Sequence, residues 1–222
     1  MGGVSGAMND MASGHAKIVA VLSAASGTGC TSAVANLAFV LAGAGRRVLV
    51  IDWASEVPHV REYLEPFHVG QQALPDGIAR SLVAAYTASP VHDDQLPAAA
   101  HYKLPAAVGL IDVFTPVDED GAARARPSRG QGGAGAIAEL RNLLPRAGYD
   151  DILIDAPIGA VDASLKLVAE LCDLALVCFR PRPKAIRDAA EVATRLRRDA
   201  VPTICCRGST PTKPSCVVYS SS

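Results

Sequence analysis

Residues 17–23 (KIVAVLS) and 47–52 (RVLVID) are short apolar runs rich in β-branched residues, and a helix-forming stretch at 31–44 (TSAVANLAFVLAGA) lies between them. Runs this short, without polar alternation, read as strands buried on both faces. Between them, Val34, Leu37, Ala38 and Leu41 fall at helical spacing, and Gly45 is a plausible stop. The connections are short, so a right-handed crossover makes the two strands a parallel pair. The pattern resumes later, with strands at 108–114 (VGLIDVF), 151–155 (DILID), 173–179 (DLALVCF) and 201–206. Helices are expected at 137–147, closed by Gly148, and at 162–171 and 184–200, with weaker helical segments at 60–64 and 77–86. The alternation predicts an α/β, doubly wound fold with a mainly parallel sheet.

The chain has 222 residues, which fits one domain at roughly 150 residues each. Its expected bounds are 16–207, after a Gly/Ser/Met-rich leader at 1–15 and before a polar tail at 208–222 that reads as disordered or truncated. Without the end of that tail, the last strand near 201–206 is expected to leave a bare sheet edge. A Gly/Arg/Ala/Pro-rich stretch at 118–135 reads as a loop, and its Arg124, Arg126 and Arg129 as solvated charges. Lys+Arg number 21 against Asp+Glu 22, which argues against bulk-charge attachment to nucleic acid or anionic lipid. Aromatics make up 5%, too few for a base-stacking platform. No apolar run approaches the roughly 18 residues of a membrane span, and no signal peptide is evident. The cysteines, Cys30, Cys172, Cys178, Cys205, Cys206 and Cys216, match neither a disulfide framework nor a zinc site. They read as reduced thiols of a cytoplasmic protein. His15, His59, His68, His92 and His101 show no metal spacing.

The chemistry concentrates in residues 23–32 (SAASGTGCTS), between the first strand and the first helix. In such a loop, backbone N–H groups converge on one spot at a helix N-terminus and favour an anion. Gly27 and Gly29 permit close approach to a ligand, and Thr31 is placed to ligate a phosphate-bound magnesium ion. The standard phosphate loop is GxxxxGK[ST]. Here Ala24 stands for the first glycine and Cys30 for the lysine. Two other readings compete. One is a plain tight turn. The other is a dinucleotide site, since Gly27 to Ser32 approximates GxGxxG and Asp52 lies 20 residues beyond Ser32.

Asn36-Leu37-Ala38 with Leu41-Ala42, then residues 45–52 (GRRVLVID), 52–58 (DWASEVP) with 61–64 (REYL), and 149–159 (YDDILIDAPIG), resemble the ParA/MinD family of deviant Walker-A ATPases. More narrowly they resemble its bacterial branch with a KGGVGR loop and a DWDLEAPGL segment. The resemblance runs from about Lys17 to Arg207, with the middle poorly matched. It implies a P-loop NTPase of SIMIBI-like, three-layer architecture that binds ATP with Mg2+. By this resemblance Ser26, Gly27, Thr28, Gly29, Cys30, Thr31 and Ser32 surround the phosphates. Asp52 and Asp155 act on magnesium and the attacking water, with Thr31 as a further metal ligand. The departures are specific. The family's first lysine is Ala25, its second glycine Ser26, its Walker cation Cys30, and the second acid after the second strand Ala54. Phosphoryl transfer is catalysed by positioning and charge stabilisation. Losing one preorganised group typically costs about 100- to 1,000-fold.

The expectation is therefore an ATP-binding protein with weak or lost ATPase activity. Two alternatives stay open: a pseudo-ATPase serving as a regulatory or protein-interaction module, and an NAD(P)-dependent oxidoreductase. Possible partners are a second copy or an intact family member. Cys30 at a helix N-terminus is expected to have a lowered thiol pKa. Cys172 and Cys178 read as core packing, Cys205 and Cys206 as alternate-facing, and Trp53 as packed beside the loop. Residues 180–183 (RPRP) fall on the same carboxyl edge and read equally as a solvated turn or, by the resemblance, as a segment near the nucleotide or the dimer interface.

Overall fold

Lys17–Leu22 (β1) sends alternate residues into two separate cores. Ile18, Ala20 and Leu22 enter one, and Val21, with Val19 packed against it, the other. Arg47–Asp52 (β2) does the same, with Leu49 and Ile51 on the first side and Val48 and Val50 on the second. A strand covered on both faces needs helices on both faces. The computed structural model describes residues 16–25, 27–53, 60–75, 77–87, 96–105, 108–115, 134–156, 162–207 and 218–219, and supplies those helices.

The second core is covered by Cys30–Gly43 (α1) and Val60–Leu64 (α2). The first is covered by Ile78–Thr87 (α3), Ala134–Leu143 (α4), Asp162–Leu171 (α5) and Pro183–Arg198 (α6). The remaining strands are His68–Gln72 (β3), Ala99–Tyr102 (β4), Leu110–Phe114 (β5), Asp151–Asp155 (β6), Leu174–Phe179 (β7), Thr203–Arg207 (β8) and Val218–Tyr219 (β9). The nine-stranded sheet runs β3-β4-β5-β2-β6-β1-β7-β8-β9. Strands β5, β2, β6, β1, β7 and β8 are parallel to their neighbours in that series, while β3, β4 and β9 pair antiparallel at the margins. The three-layer, mainly parallel architecture agrees with the sequence reading.

Some boundaries differ for local reasons. The helix expected at 137–147 starts at Ala134, and Pro145 turns its end into a 3-10 segment at Leu144–Arg146. The edge expected to be bare at β8 is paired, because β9 places Tyr219 beside Cys205 and Val218 beside Cys206. The expected tail at 208–222 thus contains the short strand Val218–Tyr219; residues 208–217 and 220–222, the leader at 1–15 and the arginines at 124, 126 and 129 lie outside the described residues. Cys205 packs on the first core and Cys206 on the second, the alternate facing expected of that pair.

Away from the carboxyl edge, a polar network ties β4, β5 and the approach to β6. Asp112 is 1% exposed, pairs with His101 Nδ1 at 2.6 Å, and accepts from the Tyr149 hydroxyl at 2.7 Å. Burial pushes the Tyr149 hydroxyl pKa up, so it stays a donor. Asp112→Ala would strip this buried hydroxyl of its acceptor. Urea unfolding is expected to show a loss of about 2–3 kcal/mol. Asp112→Asn, which can still accept, should lose less; equal stability of Asp112→Ala and the wild type would contradict the network.

Candidate functional site at the carboxyl edge

The strand order places β2, β6, β1 and β7 side by side. Registers Asp52↔Asp155 and Val21↔Asp155 bring the ends of β2, β6 and β1 level. Leu22↔Val177 does the same for β7. The loop after β1, both strand-end acids and the turn after β7 therefore share one carboxyl edge, where ligands bind in open α/β sheets.

In the loop, the Ser23 hydroxyl donates to the Ala25 carbonyl at 2.6 Å. Gly27 has φ 66° and Gly29 φ 90°, left-handed conformations that favour glycine. Gly29 caps α1 without a side-chain hydrogen bond, so no side chain takes up the first-turn N–H groups from the cap position. Several expected site side chains turn elsewhere. Thr28 is buried with its Oγ1 3.4 Å from Cys30 Sγ, and Ser32 is bonded by Asn36 at both its carbonyl and its hydroxyl. Ser26 lies outside the described residues.

Cys30 is buried with its Sγ 3.4 Å from Thr28 Oγ1, and its pKa is lowered chiefly by the neighbouring Cys178 thiol, with Thr28 and Ser23 adding to the effect. The downward direction matches the sequence expectation, but the leading cause is a neighbouring thiol. Cys178, read from sequence as core packing, is held up by the neighbouring Cys30 thiol and by burial. The signal was the strand pairing: Cys178 follows Val177, the partner of Leu22.

The acids behave differently from one another. Asp52 is 3% exposed and accepts the Val60 backbone N–H at 3.1 Å. Asp155 is 1% exposed, and neither carboxylate oxygen has a hydrogen-bond partner among the described residues. Thr31 stands near enough to favour its charged form without meeting hydrogen-bond geometry. Burial dominates and, with the Asp52 and Cys30 charges, pushes the Asp155 pKa up to about 7. Trp53 is buried, stacks obliquely on Tyr86, and its backbone N–H donates to the Asp155 carbonyl at 3.0 Å.

From β7, Arg180 reaches the loop: a Cβ added at Gly27 would lie 3.1 Å from Arg180 Nη2. The sequence sets residues 180–183 on this edge and the resemblance allows them near the nucleotide, but nothing in the sequence singles out Arg180, because nothing in it pairs β7 with β1.

No protein-family model and no curated protein matches the chain. Solved structures do. The septum site-determining protein MinD from Pyrococcus horikoshii, complexed with Mg-ADP, is 20% identical over 86% of this chain and 69% of its own, with TM-score 0.57. The kinase domain of Escherichia coli tyrosine kinase ETK is 18% identical over 98% and 76%, with TM-score 0.60. A ParA family ATPase from Chlorobium tepidum is 16% identical over 89% and 75%, with TM-score 0.55. The chain has the ParA/MinD-like P-loop NTPase fold. The strand order of this ParA/MinD-like chain also weakens the dinucleotide reading. In the dinucleotide fold the strand bearing the ribose-binding acid lies next to β1. Here β6 lies between β1 and β2. Asp52 thus stands beside Asp155.

Proposed function

We propose that the chain binds ATP with magnesium at the β1–α1 loop, Asp52 and Asp155, with weak or lost hydrolysis. The carrying observation is the buried Asp155 carboxylate without a hydrogen-bond partner, at the end of β6 beside Asp52 and near Thr31. A buried carboxylate of this kind is costly unless a cation completes it. The described residues contain no cluster of three or more His, Cys, Asp or Glu side chains suited to a metal. Magnesium fits nonetheless, because it takes one or two carboxylates and fills its shell with water and phosphate oxygens. When bound, the ion would neutralise phosphate charge.

The chain's own groups then do separate jobs. The N–H groups of the loop and first turn of α1 hold phosphate. Asp155 and Thr31 hold the cation, and Asp52 is placed to orient water. Hydrolysis is weak because Ala25 and Cys30 supply no positive charge from the loop. The missing loop cations also favour the second reading, a nucleotide-responsive regulatory module that pairs with a second copy or an intact relative. A cytoplasmic location belongs to this proposal; among the described residues no helix is long and apolar enough to cross a membrane.

Titration with Mg-ATP, followed by Trp53 fluorescence, tests the reading. Saturable binding with slow phosphate release is expected, and NADH should produce no saturable change. No ATP signal at millimolar concentration, by fluorescence or calorimetry, would overturn it.

A further inference from the structure

We propose that Arg180 is the cation of the phosphate site, supplying from the β7–α6 turn the charge that the loop lacks. This rests on the nucleotide reading of the loop. Strands β1 and β7 are parallel neighbours, so the chain leaving Leu22 and the chain leaving Phe179 emerge together. The Arg180 guanidinium crosses to the loop. A Cβ built on Gly27 would lie 3.1 Å from its Nη2 and 3.8 Å from its Cζ. The backbone beneath it is braced: the Arg182 N–H donates to the Arg180 carbonyl at 2.7 Å, and prolines occupy positions 181 and 183.

The electrostatics of this arrangement are unbalanced. The N-terminus of α1 carries positive partial charge. The guanidinium beside it has no ion pair or hydrogen bond to any described residue. A cation beside a donor-rich loop, with no carboxylate of the described residues on it, is stabilised by an anion lying between the two. The second mark of a ligand is Asp155, which is 1% exposed, unpartnered, and near enough to Thr31 and Cys30 to be influenced by them. A phosphate chain with its magnesium ion satisfies both at once: oxygens to the loop and Arg180, metal to Asp155. Arginine suits the task because its planar fork engages phosphate bidentately and stays charged. Gly27 suits it as well, since a side chain there would fill the space against the guanidinium.

The test compares Mg-ATP affinity by calorimetry for the wild type, Arg180→Gln and Arg180→Lys, together with the melting temperature of each without nucleotide. Arg180→Gln is expected to bind about ten- to a hundredfold more weakly, the effect of one charge-assisted contact. Arg180→Lys should fall between it and the wild type. Salt should weaken binding by the wild type more steeply than by Arg180→Gln. The nucleotide-free melting temperature should not change, because the side chain is exposed and makes no ion pair with a described residue. Equal ATP affinity of Arg180→Gln and the wild type would overturn the inference while leaving the nucleotide reading standing. A fall in nucleotide-free stability that accounts for the lost affinity would overturn it in favour of a structural role. No binding by the wild type would overturn both.

Discussion

Asp155→Asn is expected to stabilise the metal-free protein at mildly alkaline pH and to abolish the magnesium dependence of nucleotide binding. The two effects have one origin. Asp155 is buried without a hydrogen-bond partner, and its pKa stands at about 7 against an ordinary 3.8. Below the ordinary value, both folded and unfolded chains hold the proton and the titration carries no penalty. Between the two values the folded chain holds a proton that the unfolded chain has lost, so stability falls as pH rises. Above about 7 both are ionised and the full penalty applies, on the order of 4 kcal/mol for a shift of this size. Asparagine removes that titration. Its own buried amide, unpaired, costs about 1–3 kcal/mol. A buried neutral carboxyl without a partner carries a similar kind of cost, so the variant should be no more stable than the wild type in acid and more stable above neutrality. At this chain length the gain corresponds to roughly 5 °C in melting temperature. In EDTA, a wild-type melting temperature that does not fall between acid and neutral pH would contradict the unpartnered state of Asp155. With Mg-ATP added, the wild type should gain stability and Asp155→Asn should not.

The parts of this site differ in how far the sequence reveals them, and the difference follows strand order. Strands β1, β2 and β6 are legible because burial on both faces leaves uninterrupted apolar runs, and the loop between β1 and α1 is legible by its glycines. Their adjacency is not, because β6 inserts between β1 and β2 from about a hundred residues away. Asp155 therefore reads as an acid at a strand end, while its lack of a partner emerges only once β2, β6 and β1 lie side by side. Cys178 is hidden for the same reason, and of Arg180 only the sheet edge and the resemblance are legible, since both act through the pairing of β7 with β1. Strand β3 (HVGQQ) escapes for another. Four of its residues are exposed and the fifth is half-buried, so neither a continuous run nor an alternation marks it. It is held instead by pairing with β4, across an irregularity between His68 and Gly70.

Gly109→Ala should be the most damaging single-methyl change in the chain among the described glycines. A Cβ at this position would lie 2.3 Å from the Ala42 carbonyl oxygen, 2.4 Å from that of Arg46 and 2.8 Å from the Arg46 nitrogen. All are backbone atoms, so no rotamer change relieves the clash. The Leu110 N–H is bonded to the same Arg46 carbonyl at 3.2 Å, and the next residues pair β5 with β2 from Arg47↔Leu110 onward. The methyl group can be accommodated only by moving β5 off β2 or the end of α1 off the sheet. Either movement opens a core lined by Ala42, Val48 and Ile111, all unexposed. A loss of about 3 kcal/mol is expected, at the upper end of overpacking costs. That corresponds to a melting temperature lower by roughly 6–12 °C. Gly43→Ala, one residue beyond Ala42, is the control. It ends α1 with nothing within 4 Å of the added carbon. Alanine there should stabilise by up to about 1 kcal/mol. Equal melting temperatures for the two variants would refute the contact. The consequence extends to the ligand site, because α1 is a rigid rod with the phosphate loop at one end and Gly109 packed against the other. A shift large enough to admit the methyl group would move Gly29 and Thr31 relative to Asp155. Gly109→Ala should therefore also weaken Mg-ATP binding at temperatures where it remains folded, whereas Gly43→Ala should not.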